Sequence, residues 1–150
     1  MTAADPLSTE APVPGARAYL LDAGPLVALA NRRDQHRAWA VRAVDRLDAP
    51  VLTCEAVLSE AWFLTGRGGG DPTGVLDLVT VLGVEVVPAW GPRTDEIIRL
   101  YADRASVADA SLLALAEEAD GRVVVTTDRD DFAVYRLHRR RAVPALVPPR

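Results

Sequence analysis

The stretch Tyr19-Leu20-Leu21-Asp22-Ala23-Gly24-Pro25-Leu26-Val27-Ala28-Leu29 reads as a short buried strand that stops on an acid and turns at once into a helix. An ionised carboxylate at the end of an apolar run is costly to bury without a partner, and no basic residue follows until Arg32. Asp22 can satisfy itself locally by capping the helix that begins near Gly24, where its charge suits the helix dipole. Otherwise its partner must come from elsewhere in the chain. The stretch taken alone leaves both readings open.

Composition narrows the field. With 150 residues, 49% of them hydrophobic, the chain suffices for one domain with a real core and falls short of two. No apolar run reaches the roughly 20 residues that cross a bilayer. Asp5 and Glu10 stand where a signal peptide would be basic and then apolar, so a cytoplasmic protein with no membrane partner is expected. The single cysteine, Cys54, allows neither an internal disulfide nor a thiolate zinc site. A formal net charge of -4 excludes a broad basic footprint for nucleic acid, so any polyanion must be held locally. All 17 Lys+Arg positions are arginine. Arg136, His138, Arg139, Arg140 and Arg141 form a dense basic run that is either a solvated surface segment or a phosphate contact.

Strand-like and helix-like segments alternate along the chain. Residues 1–16, rich in Pro, Ala and Thr, read as a disordered leader before a domain spanning 17–150. Helical spacing follows over 35–47, with His36 a structural residue in its first turn, and a strand over 51–53 ends on Thr53, a candidate cap for a helix over 54–67. After the glycine-rich turn at 66–72 come a helix over 73–82, a strand over 84–87 and helices over 93–103 and 107–119, the last capped by Ser106. Residues 122–127 are apolar on both faces, the mark of a strand in a covered parallel sheet. A short helix over 129–135 and an edge strand over 143–147 complete the series. The alternation predicts an α/β fold, a three-layer α/β/α sandwich around a mainly parallel sheet, with the strands' carboxyl ends along one edge.

Four acids converge on that edge. Asp22 and Asp128 end strands there, Asp109 opens the helix after Ser106, and Glu60 lies among Ala56, Val57, Phe63 and Leu64 at about 100° per residue. That helix carries Leu58 and Trp62 on its other side, which suggests a dimer or partner contact. Each acid has a local explanation, Asp109 through the capping-box spacing of Ser106 to Asp109 for one. Gathered together, however, carboxylates repel, and a hard divalent cation with oxygen ligands resolves the repulsion. Magnesium or manganese suits such donors better than zinc or copper.

In order and spacing, Leu20-Leu21-Asp22-Ala23-Gly24-Pro25-Leu26, Leu58-Ser59-Glu60, Val107-Ala108-Asp109-Ala110-Ser111 and Val125-Thr126-Thr127-Asp128-Arg129-Asp130-Asp131-Phe132 resemble PIN domains, and among them the VapC-like toxins of bacterial type II toxin-antitoxin modules. The resemblance spans nearly all of 19–147 and implies a PIN-like nuclease domain over 17–150. It further implies an endoribonuclease that uses Mg²⁺, with Mn²⁺ a possible substitute, is usually a homodimer, and is held inactive by a cognate antitoxin. Asp22, Glu60, Asp109 and Asp128 match the family's acidic quartet as catalytic and metal-holding residues, Asp22 and Asp109 being the expected principal ligands and Asp131 an auxiliary acid. One departure is Ser106, where relatives often carry a further acid. Arg129, Arg136, Arg139 and Arg140 are the candidate contacts to an RNA substrate. The alternative is a catalytically inactive PIN-fold module that binds RNA or protein. Phosphatases and receiver domains with an acid after the first strand are disfavoured, because receivers rely on a lysine that this chain lacks and the phosphatases want an acid where Gly24 stands.

Overall fold

Val123, Val124 and Val125 leave no polar side chain on either face of their strand, and Tyr19, Leu20 and Leu21 behave alike, so these two segments lie at the buried centre of the sheet. In the computed structural model, which describes residues 5–150, they form β2 (Ala18–Leu21) and β5 (Arg122–Val125), paired in parallel with Leu21 opposite Val125. Between them run α1 (Ala23–Ala30), α2 (Arg37–Asp45), β3 (Val51–Thr53), α3 (Glu55–Arg67), α4 (Thr73–Val81), β4 (Glu85–Val86), α5 (Pro92–Leu100) and α6 (Val107–Glu118). Beyond β5 come α7 (Arg129–Val134), the strands β6 (Arg136–Leu137) and β7 (Arg141–Ala142), and β8 (Ala145–Leu146). With β1 (Leu7–Ser8), the main sheet has the order β1-β8-β5-β2-β3-β4, and every pairing in it is parallel.

Helices flank this sheet as the alternation predicts. α1 packs on α2, α3 and α4, while α6 packs on α5, α3 and the central strands. α6 is the most enclosed of them, with Ala108 to Ala116 buried without a break, Asp109 and Ser111 included. On α3 the buried stripe is Val57, Ala61 and Thr65, and the neighbouring Trp62, Phe63 and Leu64 are exposed.

Three expectations need correction. The leader is not disordered over the described residues: Leu7 pairs with Ala145 and Ser8 with Leu146, the Trp39 indole donates to the Thr9 carbonyl at 3.0 Å, and Val13 N donates to the Tyr19 hydroxyl at 3.0 Å. Backbone groups and two aromatic tips fix this segment, and apolar periodicity registers neither. Residues 1–4 of that expectation lie outside the described residues. Consequently β8 is an interior strand, lying between β1 and β5, where an edge strand was expected. Thr53 does not cap α3; its hydroxyl donates to the Leu21 carbonyl at 2.8 Å, tying β3 to β2, and Cys54 takes the cap position. The basic run is an antiparallel two-stranded hairpin, whose turn holds His138 and Arg139 at φ 50° and 61°.

Removal of residues 1–12 takes away β1 and the Trp39 partner. Urea denaturation should register a loss of about 1–3 kcal/mol, whereas an unchanged midpoint would show that β1 adds nothing to stability.

Candidate active site

The register of β2 on β5 sets the first part of the site. One residue past the Leu21–Val125 pair, Asp22 stands beside Thr126, and its backbone N–H donates to the Val125 carbonyl at 3.0 Å. Both Asp22 carboxylate oxygens accept hydrogen bonds, Oδ1 from Ala23 N at 2.8 Å and Oδ2 from the Thr126 hydroxyl at 2.6 Å. Asp22 is thus the N-cap of α1 and at the same time a buried acid, 5% exposed. Burial pushes its pKa up to about 7; the Thr126 and Ala23 bonds work against this, and the charges of Asp109 and Glu60 add to it. Gly24 permits the approach, since a Cβ there would lie 2.0 Å from the Thr127 hydroxyl and 3.0 Å from the Thr127 Cβ.

α6 delivers Asp109. The Ser106 hydroxyl caps this helix by accepting from Asp109 N at 3.1 Å, which fixes the first turn, and the buried Asp109 carboxylate accepts from the Tyr135 hydroxyl at 2.7 Å through Oδ2. Burial raises the Asp109 pKa, partly offset by the Tyr135 and Ser106 hydrogen bonds.

The loop from β5 to α7 brings two more acids. Thr126 accepts from Asp128 N at 3.0 Å, so one hydroxyl links Asp22 to the turn that carries Asp128, and Asp128 caps α7 by accepting from Asp131 N at 3.1 Å. Asp109, Asp128 and Asp131 each present an oxygen such that the three lie within 4.8 Å of one another. Burial, followed by the nearby Asp131 and Asp109, pushes the Asp128 pKa up to about 6. Glu60, half-buried on α3, is raised by burial and by the charges of Asp109 and Asp128, with Ser106 pulling it down. Ser106, the departure noted in the sequence, thus contributes both a helix cap and a hydroxyl beside Glu60. Arg104 reaches Asp131 at 3.1 Å and is the one ion-pair partner of this acid group among the described residues.

The quartet therefore shares one electrostatic environment, but its tightest part differs from the expected one. Asp131 joins Asp109 and Asp128, while both Asp22 carboxylate oxygens accept hydrogen bonds from Ala23 N and the Thr126 hydroxyl. Three hard oxygen donors at this spacing, with Arg104 as their one cationic neighbour among the described residues, fit a divalent cation such as Mg²⁺ or Mn²⁺. Thr126, Tyr135 and Arg104 escaped the sequence reading. Thr126 was signalled by its place two residues before a strand-terminal acid, but nothing local marked Tyr135 or Arg104.

The basic candidates divide. Arg129 donates to the Pro148 carbonyl at 2.9 Å, and Arg136 donates through Nη1 to the Ala133 and Tyr135 carbonyls at the end of α7. Both are engaged in holding backbone. Arg139 and Arg140 are exposed on the hairpin turn, and Arg139 lines a cleft of about 680 Å³ with Trp90 and Arg93.

The family model for the PIN domain matches residues 19–137. Among solved structures, the chain is similar to VapC20 of Mycobacterium tuberculosis, a sarcin-ricin loop cleaving toxin, at 23% identity and TM-score 0.64, covering 75% of this chain and 91% of that one. It is also similar to VapBC2 from Rickettsia felis bound to a DNA fragment from their promoter, at 13% identity and TM-score 0.57, covering 88% of this chain and 99% of the other. At these identities the likeness is one of fold. A search of curated protein sequences gives no match.

Two predictions follow from the geometry. The raised acids keep protons in the folded state that the unfolded chain has already released, so metal-free stability should fall as pH rises from about 4 towards the Asp22 value of about 7. Denaturant unfolding of chelator-treated protein should lose on the order of 2 kcal/mol between pH 5 and 8. Asp22→Asn, which retains hydrogen-bonding capacity without charge, should flatten that slope; an equally steep slope would remove Asp22 as its source. Gly24→Ala should lower stability by about 1–3 kcal/mol, because rotating Thr127 cannot clear its Cβ; an unaltered melting temperature would contradict the close approach.

Proposed function

The chain belongs to the PIN domain family, and on that premise we propose that it is a metal-dependent endoribonuclease hydrolysing RNA phosphodiester bonds, the toxin of a type II toxin-antitoxin module. The observation that carries this reading is the convergence of Asp109, Asp128 and Asp131 oxygens within 4.8 Å, with Asp22 and Glu60 close enough to feel the same charges. Like-charged groups gathered on separate elements destabilise a fold unless function holds them there.

Asp109, Asp128 and Asp131 would hold Mg²⁺ or Mn²⁺, with Asp22 and Glu60 completing the acidic lining. The bound cation supplies charge neutralisation at the phosphodiester and acidifies water. Thr126 orients Asp22 from one side and anchors the Asp128 turn from the other, so the lining is rigid before substrate arrives. Glu60, half-buried on α3 beside the charges of Asp109 and Asp128, would orient the attacking water. Arg104 lies at the rim on Asp131, and Arg139 and Arg140 offer guanidinium groups to the RNA backbone.

The likeness to VapC structures supports a cognate antitoxin as partner. The exposed Trp62 and Phe63 of α3 supply apolar surface for that partner or for a second copy of the chain. No helix among the described residues is long and apolar enough to cross a membrane.

Purified protein incubated with total RNA should cleave it in Mg²⁺ and stop on addition of EDTA. Asp109→Asn should reduce the rate by about a hundredfold or more while the protein stays folded. RNA binding without cleavage in either metal would instead establish an inactive binding module.

A further inference from the structure

Tyr135 is fully buried, yet its polar end does not point at backbone; it donates to Asp109 Oδ2 at 2.7 Å. Its ring is fixed by two edge-on aromatic neighbours, Tyr101 at 5.0 Å and Phe132 at 5.1 Å between centroids. The Tyr101 hydroxyl in turn accepts from Arg136 N at 3.0 Å, so the aromatic group is tethered to the chain just beyond α7. Asp109 and Tyr135 come from different elements, and the bond between them joins α6 to the residue that ends α7. Those are the two elements that supply the three converging acids.

We propose that Tyr135 is a positioning residue of the metal site, its hydroxyl holding the Asp109 carboxylate in the orientation that meets Asp128 and Asp131 on a divalent cation. This rests on reading the acidic pocket as a metal centre. A bond to one carboxylate oxygen removes rotation about the Asp109 side chain and so lowers the ordering cost of binding. The donor is a dependable one, because a phenol hydroxyl keeps its proton at neutral pH. Packing alone would be served by phenylalanine, and an aspartate left without this donor would be a freer ligand. Thr126 stands in the same relation to Asp22, so each of the two most buried acids has a hydroxyl that fixes it.

The test is Mn²⁺ binding to the chelator-treated full chain, read by electron paramagnetic resonance, beside thermal unfolding of the same samples. Tyr135→Phe keeps the ring and should weaken Mn²⁺ binding by about tenfold or more with a small change in metal-free melting temperature. Tyr19→Phe loses a comparable hydroxyl, whose partners are Val13 N and Asp48, and should bind Mn²⁺ as the unaltered chain does. Affinity of Tyr135→Phe within about twofold of the unaltered chain, whatever its melting temperature, would overturn the proposal and leave Tyr135 a packing residue. Should the unaltered chain itself bind no Mn²⁺, the metal reading fails first and the proposal with it, an outcome distinct from loss in the variant alone. If Tyr135→Phe does not fold, Mg²⁺ titration of the unaltered chain carrying tyrosine labelled with ¹³C at Cζ decides. The Tyr135 resonance should shift and saturate with the metal; a resonance that stays still overturns the proposal.

Discussion

The parallel pairing of β2 with β5 is the constraint on which the molecule depends. Leu21 opposite Val125 places Asp22 beside Thr126, and from that one registration follow the Thr126 bond, the approach of Gly24 to Thr127 and the placing of Asp128. A slip by one residue would take Asp22 away from Thr126 and undo these contacts. The hydrophobic interior therefore enforces an arrangement of charge that it would not favour for its own sake. The cohesion of the apolar strands opposes the mutual repulsion of the acids, and both meet at the carboxyl edge of the sheet.

The same residues serve architecture and chemistry together. Asp22 caps α1, Ser106 caps α6 and Asp128 caps α7, so the helices begin where the acids gather. Helix N-termini carry partial positive charge, which moderates the cost of crowding carboxylates there. A local capping role and a place in the acidic pocket are thus compatible readings of one side chain.

Much of this was legible from the order of residues alone. The alternation of apolar strands and helices gave the layers, and the doubly apolar 122–127 stretch marked a strand of a covered parallel sheet, because burial on both faces leaves a direct mark on composition. Asp22, Glu60, Asp109 and Asp128 were visible because each interrupts an apolar pattern. What stayed hidden depended on contacts between distant segments. Strand β1 is two residues long and is held by backbone hydrogen bonds to β8, which any pair of residues can make. Tyr135 carried no local mark, because its partner lies twenty-six positions earlier. That Asp131 joins Asp109 and Asp128 follows from the turn of α7, where Asp128 accepts from Asp131 N, and from no spacing a linear pattern records.

The pairing of Leu7 with Ala145 also constrains the order in which the molecule can be assembled. On the ribosome the first strand of the sheet emerges early but must wait for almost the last to arrive, and β5 reaches Asp22 only shortly before. Contacts between such remote segments are entropically slow to close. A nascent chain thus carries its acids apart until β5 and α7 have been made, and its sheet stays incomplete until β8 follows. Competence of the site is delayed by topology, a form of temporal control written into the strand order.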